Sequence, residues 1–306
     1  PHGDHRMELW IAITIAAAFL QNIRSSLQRH LKDHVGTTGA TFVRFGFGLP
    51  FAALFLFTMT ALTGAPVPAP SPAFLAWVAV GAFGQIAATF LLIHLFSFRN
   101  FTVGTAYSRT EPAQAALFGL LFLSETVGPV TLVAIAISVF GVMLISVARS
   151  AFSPAALVTS VFTRTAGIGL LSGTLFGVAA VAYRAASLSL GYPGFAVQAA
   201  TTLLWAIALQ TAVMLAWMAW RDRQGLTQVR AAWRISALVG LVGATASFGW
   251  FAAMTLQQAA VVKALAQIEM LFTFVTSVFV FREHINRLEI AGCVLIIAGI
   301  LVLVLA

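Results

Sequence analysis

Two glutamates stand inside long apolar stretches of this chain. Glu111 occurs in YSRTEP (107–112), and Glu269 in VVKALAQIEM (261–270), 158 residues later (269 − 111). Each has a cation close in sequence, Arg109 and Lys263. Charged groups away from water can tie helices together as ion pairs, take the ammonium and carboxylate of a zwitterion, or relay a proton. An uncompensated charge at membrane depth costs several kcal/mol, so one of these uses is expected. Arg109 is two residues from Glu111 and points elsewhere on a helix, so the two should not pair within it. Arg109 near Glu269 and Lys263 near Glu111 is the arrangement that leaves no charge alone.

The neighbouring residues suggest a binding wall. Tyr107, Glu111 and Gln114 have the i, i+4, i+7 spacing of one helix face. Pro112 cannot donate to the carbonyl of Ser108, which loosens the helix there. In one reading this is a cavity wall: the freed carbonyl and Glu111 take a substrate ammonium, and Tyr107 stacks on the substrate. In the other, Arg109 and Glu111 pair with neighbouring helices and lock the bundle. The residues alone leave both open. Lys263 and Gln267 share a face of their own span, with Glu269 on another, and Lys263 could receive a substrate carboxylate. Gln21 and Asn22, Gln85, Tyr183 and Trp250 are further polar or aromatic groups inside apolar segments, and join the candidate substrate-binding set.

Other groups have plainer readings. Arg24, Arg29 and Lys32 are expected to snorkel to the headgroups. Trp10, Trp77, Trp220 and Trp233 lie near segment ends and fit an interfacial belt. His94 reads as a hydrogen-bonded structural group. His30 and His34 have a metal-ligand spacing, but no third ligand is evident, so neither metal nor cofactor is expected. No HExxH, P-loop or GxSxG stands in a suitable context, and an enzyme is not expected. Cys293, the single cysteine, reads as a small apolar filler.

The elements that must position these groups follow from composition. The 306 residues are 60% hydrophobic and only 8% charged, with mean hydropathy +0.96. Soluble domains carry about 25% charged residues, so a membrane protein is indicated. Apolar segments of about 20 residues match helices crossing a core about 30 Å thick, not barrel strands. Ten spans are predicted: 8–31, 37–62, 73–97, 102–123, 127–148, 165–189, 195–220, 233–256, 259–281 and 285–306. TGAPVPAPSP (63–72), SETVGP (124–129) and SLGYPG (189–194) carry the Gly and Pro of turns. PHGDHR (1–6) reads as a vector-derived scar. The net charge of +8 is explained by arginines between spans, so nucleic acid is not an expected partner. A small-molecule substrate and membrane lipid are, and a monomer is favoured.

The chain also repeats. Shifting by 158 residues superposes Gly36 on Gly194, Glu111 on Glu269, Glu125 on Glu283 and Gly141 on Gly299. With only nine acidic residues in the chain, the two glutamate matches weigh most. The polar break at 149–164 is a linker between repeats at 7–148 and 165–306. Five helices per repeat is odd, so the repeats enter the membrane from opposite sides, an architecture that recurs in secondary transporters. Basic residues (Arg29, Lys32, Arg99; then Arg221, Arg223, Arg230, Arg234, Arg282, Arg287) flank breaks on one common side. The positive-inside rule makes that side cytoplasmic and places both termini outside the cytoplasm.

The five-plus-five duplication, the S-E-T turn closing span 4 and the glycine-bearing fifth helix of each half resemble the EamA branch of the drug/metabolite transporter superfamily. The likeness extends over 7–306 and is greatest to YddG-type amino-acid exporters. It implies an all-α bundle of ten transmembrane helices, a five-plus-five inverted repeat in the bacterial inner membrane with a central substrate cavity. The expected function is export of amino acids, aromatic and other neutral ones, by alternating access. The zwitterion would meet a carbonyl and acid in span 4 and polar groups in spans 1, 6 and 9. An exporter of drugs or other metabolites is the rival within the class. A membrane-embedded enzyme or lipid scramblase is the rival outside it.

Overall fold

The computed structural model describes residues 2–95, 97–98, 101–148, 162–191, 194–279 and 286–305. Arg99, Arg149, Arg282 and Glu283, and most of the 149–164 linker, lie outside them. Each predicted span is mainly helical over its described residues, and no strand occurs among them. Helix α1 (His2–Gly46) carries span 1 and the start of span 2, with one non-helical residue at Gly36 (φ 69°, ψ −179°). Nothing lies within 4 Å of the position a Cβ would take there. The positive φ, not crowding, therefore requires glycine at this turn. After a break at Phe47–Gly48, α2 (Leu49–Thr63) completes span 2, with proline in its first turn and Gly64 closing it at φ 66°.

Next come α3 (Pro72–Leu95), α4 (Phe101–Ser108), α5 (Glu111–Leu123) and α6 (Pro129–Ala148). The second half holds α7 (Arg164–Ser189), α8 (Phe195–Arg221), α9 (Arg223–Ala231), α10 (Trp233–Leu256), α11 (Ala259–Leu265), α12 (Ile268–Phe279) and α13 (Arg287–Leu305). Spans 4 and 9, expected to be continuous, are each interrupted near the middle. The break after span 7, expected as a plain loop, holds the short helix α9. Asp222 caps it by accepting from the Gly225 N–H at 2.9 Å. Leu226 and Val229 pack inward while Arg223 and Arg230 stay exposed.

The chain clusters into two compact units, each drawing on both halves of the sequence: Pro1–Ile86 with Ala182–Gln257, and Ala87–Val181 with Gln258–Ala306. In the first, α1 packs along α8, α9 and α10 around Leu31, Val35, Phe42, Phe45, Met218 and Val239. Two expectations are corrected here. Arg24 is 5% exposed and does not snorkel, and Trp10, also 5% exposed, is a core residue and not an interfacial one. Trp220 and Trp233, at 69% and 56%, are open as an interfacial belt requires.

In the second unit α6 packs along α13. Their glycines admit close backbone approach: a Cβ on Gly141 would lie 2.7 Å from the Gly292 carbonyl oxygen, and one on Gly299 2.9 Å from that of Ala134. Gly141 and Gly299 are the pair matched by the 158-residue offset, so the repeat is visible as reciprocal packing. Cys293 is buried among Val142, Ile145 and Ile296. The far sides of the two helices expose Val133, Phe140, Val294 and Leu301, apolar side chains that suit lipid.

Candidate functional site

The candidate residues fall into two groups, one in each unit. In the second unit the group sits on the two interrupted spans. Helix α4 stops at Ser108 and α5 starts at Glu111, leaving Arg109 and Thr110 in a turn. At membrane depth each carbonyl freed by such a break needs a protein partner or water. Protein groups meet several of the carbonyls around the break. The Ser108 hydroxyl donates to the Thr105 carbonyl at 2.8 Å, and the Arg109 N–H to that of Ala106 at 3.1 Å. The Thr110 hydroxyl donates to the Tyr107 carbonyl at 2.7 Å and accepts from the Gln114 amide at 2.7 Å. The Arg109 carbonyl accepts from the Gln267 amide at 3.3 Å. Gln267 is the residue matched to Arg109 by the 158-residue offset, so the two breaks are hydrogen-bonded through equivalent positions.

The Ser108 carbonyl, which Pro112 cannot serve, faces α7. A Cβ on Gly173 would lie 2.8 Å from that oxygen. Gly169 admits the backbone of Gly104 in the same way, and Gly177 that of Ala115. A glycine at every fourth residue thus lets α7 take the broken span against its own backbone. Ser172, on the same helix, donates to the Ala88 carbonyl at 2.9 Å.

The breaks carry the charges. Lys263 Nζ lies 2.9 Å from Glu111 Oε1, with the side chains 16% and 19% exposed. Its geometry is that of an ion pair by distance, not of an aligned hydrogen bond. Arg109 Nη1 lies 3.5 Å from Glu269 Oε2, with Glu269 nearly buried at 7%. Both contacts cross between the repeats, in the arrangement that leaves none of these four charges alone. The break places Tyr107 at the end of α4 and Glu111 and Gln114 on α5. Tyr107 packs with Ala166 and Met143, and Gln114 turns to Thr110. The break at Ala266–Gln267 separates Lys263 from Gln267 in the same way.

The first unit holds the other group. Tyr183 donates its hydroxyl to Gln85 Oε1 at 3.0 Å, and the Gln210 amide reaches both Gln85 Oε1 (2.7 Å) and the Tyr183 oxygen (3.0 Å). Gly81 makes room for the Tyr183 ring, since a Cβ there would lie 2.5 Å from Cε1. The same ring lies 4.4 Å from Phe251. Trp250 donates its indole N–H to Gln21 Oε1 at 3.0 Å, and Asn22 beside it is half-buried. Gln21, Gln85, Tyr183 and Trp250 therefore all engage in polar contacts within one unit, as their depth in apolar spans demands.

Arg184, beside Tyr183 in span 6, donates from Nη1 to the carbonyls of Met254 (2.5 Å) and Gln257 (2.7 Å), at the C-terminus of α10. A cation there satisfies carbonyls that the helix cannot and favours the dipole. Gln210 and Arg44 escaped the sequence reading. The signal that could have found both is the one used for Glu111, a polar side chain well inside an apolar span. The His30 and His34 rings lie 5.3 Å apart between centroids, tilted by 53°. Among the described residues no group of three or more His, Cys, Asp or Glu could hold a metal ion.

Known proteins give this geometry its context. The model of the EamA-like transporter family matches residues 8–147 and 163–305. A solved crystal structure superposes with a TM-score of 0.66 over 96% of each chain at 18% identity, a likeness of fold. No curated protein matches. Two matched stretches spanning nearly the whole chain, on an all-helical multi-pass membrane framework, settle the family. The chain belongs to the EamA-like transporter family.

Proposed function

We propose that this transporter exports neutral amino acids, aromatic ones included, across the bacterial inner membrane by alternating access. The two repeats, 7–148 and 165–306, rock against each other, with basic loops in the cytoplasm and both termini outside it. The observation that carries the reading is the Lys263–Glu111 pair, which is partly exposed beside two helix breaks. A zwitterion can exchange for this pair without leaving a charge alone: its ammonium takes Glu111 and its carboxylate takes Lys263. Few small molecules match both members at once, and amino acids do.

The test is efflux from proteoliposomes loaded with labelled phenylalanine or threonine. Saturable efflux that unlabelled amino acid inhibits is expected. Folded protein that moves neither, while moving a drug or another metabolite, would overturn the cargo. Proton coupling through the acids predicts that Glu111→Gln or Glu269→Gln abolishes uphill transport and spares exchange. Uphill transport that survives both changes excludes that coupling.

A further inference from the structure

The short helix α9 and its two ends concentrate positive charge on the surface of the first unit. Arg221, Arg223, Arg230 and Arg234 are all exposed. The one acidic residue between Trp217 and Leu238 is Asp222, whose carboxylate caps α9. Among the described residues none of the four arginines has a carboxylate partner. A tryptophan stands beside the arginine at each end of the helix. The Arg221 guanidinium lies over the Trp220 ring at 4.1 Å, and that of Arg234 over the Trp233 ring at 5.6 Å. Arg223 and Arg230, seven residues apart, share one flank of α9 about 10 Å apart along its axis. Arg223 Nε donates to the Ala219 carbonyl at 2.9 Å, which fixes its stem. The opposite side of α9 is anchored: Leu226 and Val229 pack with Leu31 and Val35 of α1. Val229 Cγ2 lies 3.1 Å from the position of a Cβ on Gly39.

We infer that α9 with its two flanking Trp–Arg pairs is a docking surface for the headgroups of anionic phospholipids. A guanidinium fork matches a phosphate with two parallel hydrogen bonds and keeps its charge at any working pH. The tryptophan beside it holds the cation by its ring face and settles at headgroup level. A basic amphipathic helix next to a span is drawn to an anionic leaflet, and the attraction falls as salt rises. The apolar side of the surface separates a lipid from a soluble anion. Trp217 packs edge-on to Trp220 at 6.0 Å between centroids, and with Leu215 it carries exposed apolar surface along α8. Acyl chains fit that stripe while the phosphate meets the arginines. Every group involved belongs to the first unit, and none belongs to the Lys263–Glu111 pair. The surface is therefore independent of the amino-acid reading.

The test uses the affinity-tagged full chain in neutral detergent, with radiolabelled dioleoylphosphatidylglycerol in mixed micelles as probe. Lipid retained with the chain on resin is counted. The wild type should retain it saturably, with displacement by unlabelled phosphatidylglycerol and little by phosphatidylcholine or inorganic phosphate. Raising salt from about 0.05 to about 0.5 M should weaken retention. The double variant Arg223→Gln with Arg230→Gln should weaken it at least tenfold, at about fivefold per arginine. Gln228→Ala, on the other flank, should leave it unchanged. Should the double variant not fold, Arg221→Gln with Arg234→Gln removes the two cations beside the tryptophans and should act likewise. Equal displacement by phosphatidylcholine would reduce the surface to ordinary lipid contact and overturn the assignment. Displacement by inorganic phosphate at equal concentration would assign it to a soluble anion and overturn the lipid. Unchanged retention in the folded variants would overturn it as well. Phenylalanine efflux from the same preparation keeps the two readings apart: specific lipid retention without efflux leaves this surface standing and removes the amino-acid cargo.

Discussion

Reversing the Lys263–Glu111 pair is the most direct test of the charged breaks. At 2.9 Å, Coulomb's law with an effective dielectric of about 20 gives an attraction of roughly 6 kcal/mol. Desolvation offsets much of it, and removing one partner of a buried pair typically costs about 3–5 kcal/mol. The side chains here keep 16% and 19% exposure, so water screening lowers the expected loss to about 2–3 kcal/mol. Glu111→Gln or Lys263→Met should therefore lower the midpoint of thermal unfolding by about 4–12 °C in a chain of this size. The double change Glu111→Lys with Lys263→Glu restores the pair in reverse order and should recover at least half of that loss. Thermal unfolding in detergent, followed by size exclusion, supplies the measurement, with efflux recorded in parallel. Single variants that unfold at the wild-type temperature would refute the reasoning. So would a folded double variant that recovers nothing.

Gln267→Leu removes the donor to the Arg109 carbonyl and leaves that oxygen unmet at depth, a cost of about 1–3 kcal/mol; a lower unfolding midpoint checks it. Gly173→Leu drives a side chain into the Ser108 carbonyl, 2.8 Å from the Cβ position, and should destabilise by about 1–3 kcal/mol, whereas Gly167→Ala, where nothing lies within 4 Å, should change the midpoint little. Tyr183→Phe takes the hydroxyl from Gln85 and Gln210 and should cost about 1–2 kcal/mol by the same measurement. For orientation, Gln228→Cys in the Cys293→Ala background places a thiol on exposed α9. A membrane-impermeant maleimide should label it in inverted vesicles and not in right-side-out ones.

Much of this architecture was written in the order of residue types. Segment length and polarity locate the helices because lipid offers backbone groups no partners, so each apolar run must satisfy itself as helix. The 158-residue offset paired Glu111 with Glu269 and brought Arg109 and Lys263 to opposite acids, because few charges exist and none can stand alone at depth. Pro112 announced a weak point in span 4, since a missing N–H is a local property. The matching break at Ala266–Gln267 had no such mark: VVKALAQIEM contains neither proline nor glycine. There the Gln267 amide serves the Arg109 carbonyl and Glu269 meets Arg109, contacts with a segment far away in the chain. Arg24 shows the same limit. On its own helix it reads as a side chain that reaches for water, and only the glycine at 243 on α10 gives its stem somewhere to lie. Local chemistry thus decided which residues must be partnered. Tertiary packing decided which partner each one received, because that choice depends on distances between segments that periodicity does not encode.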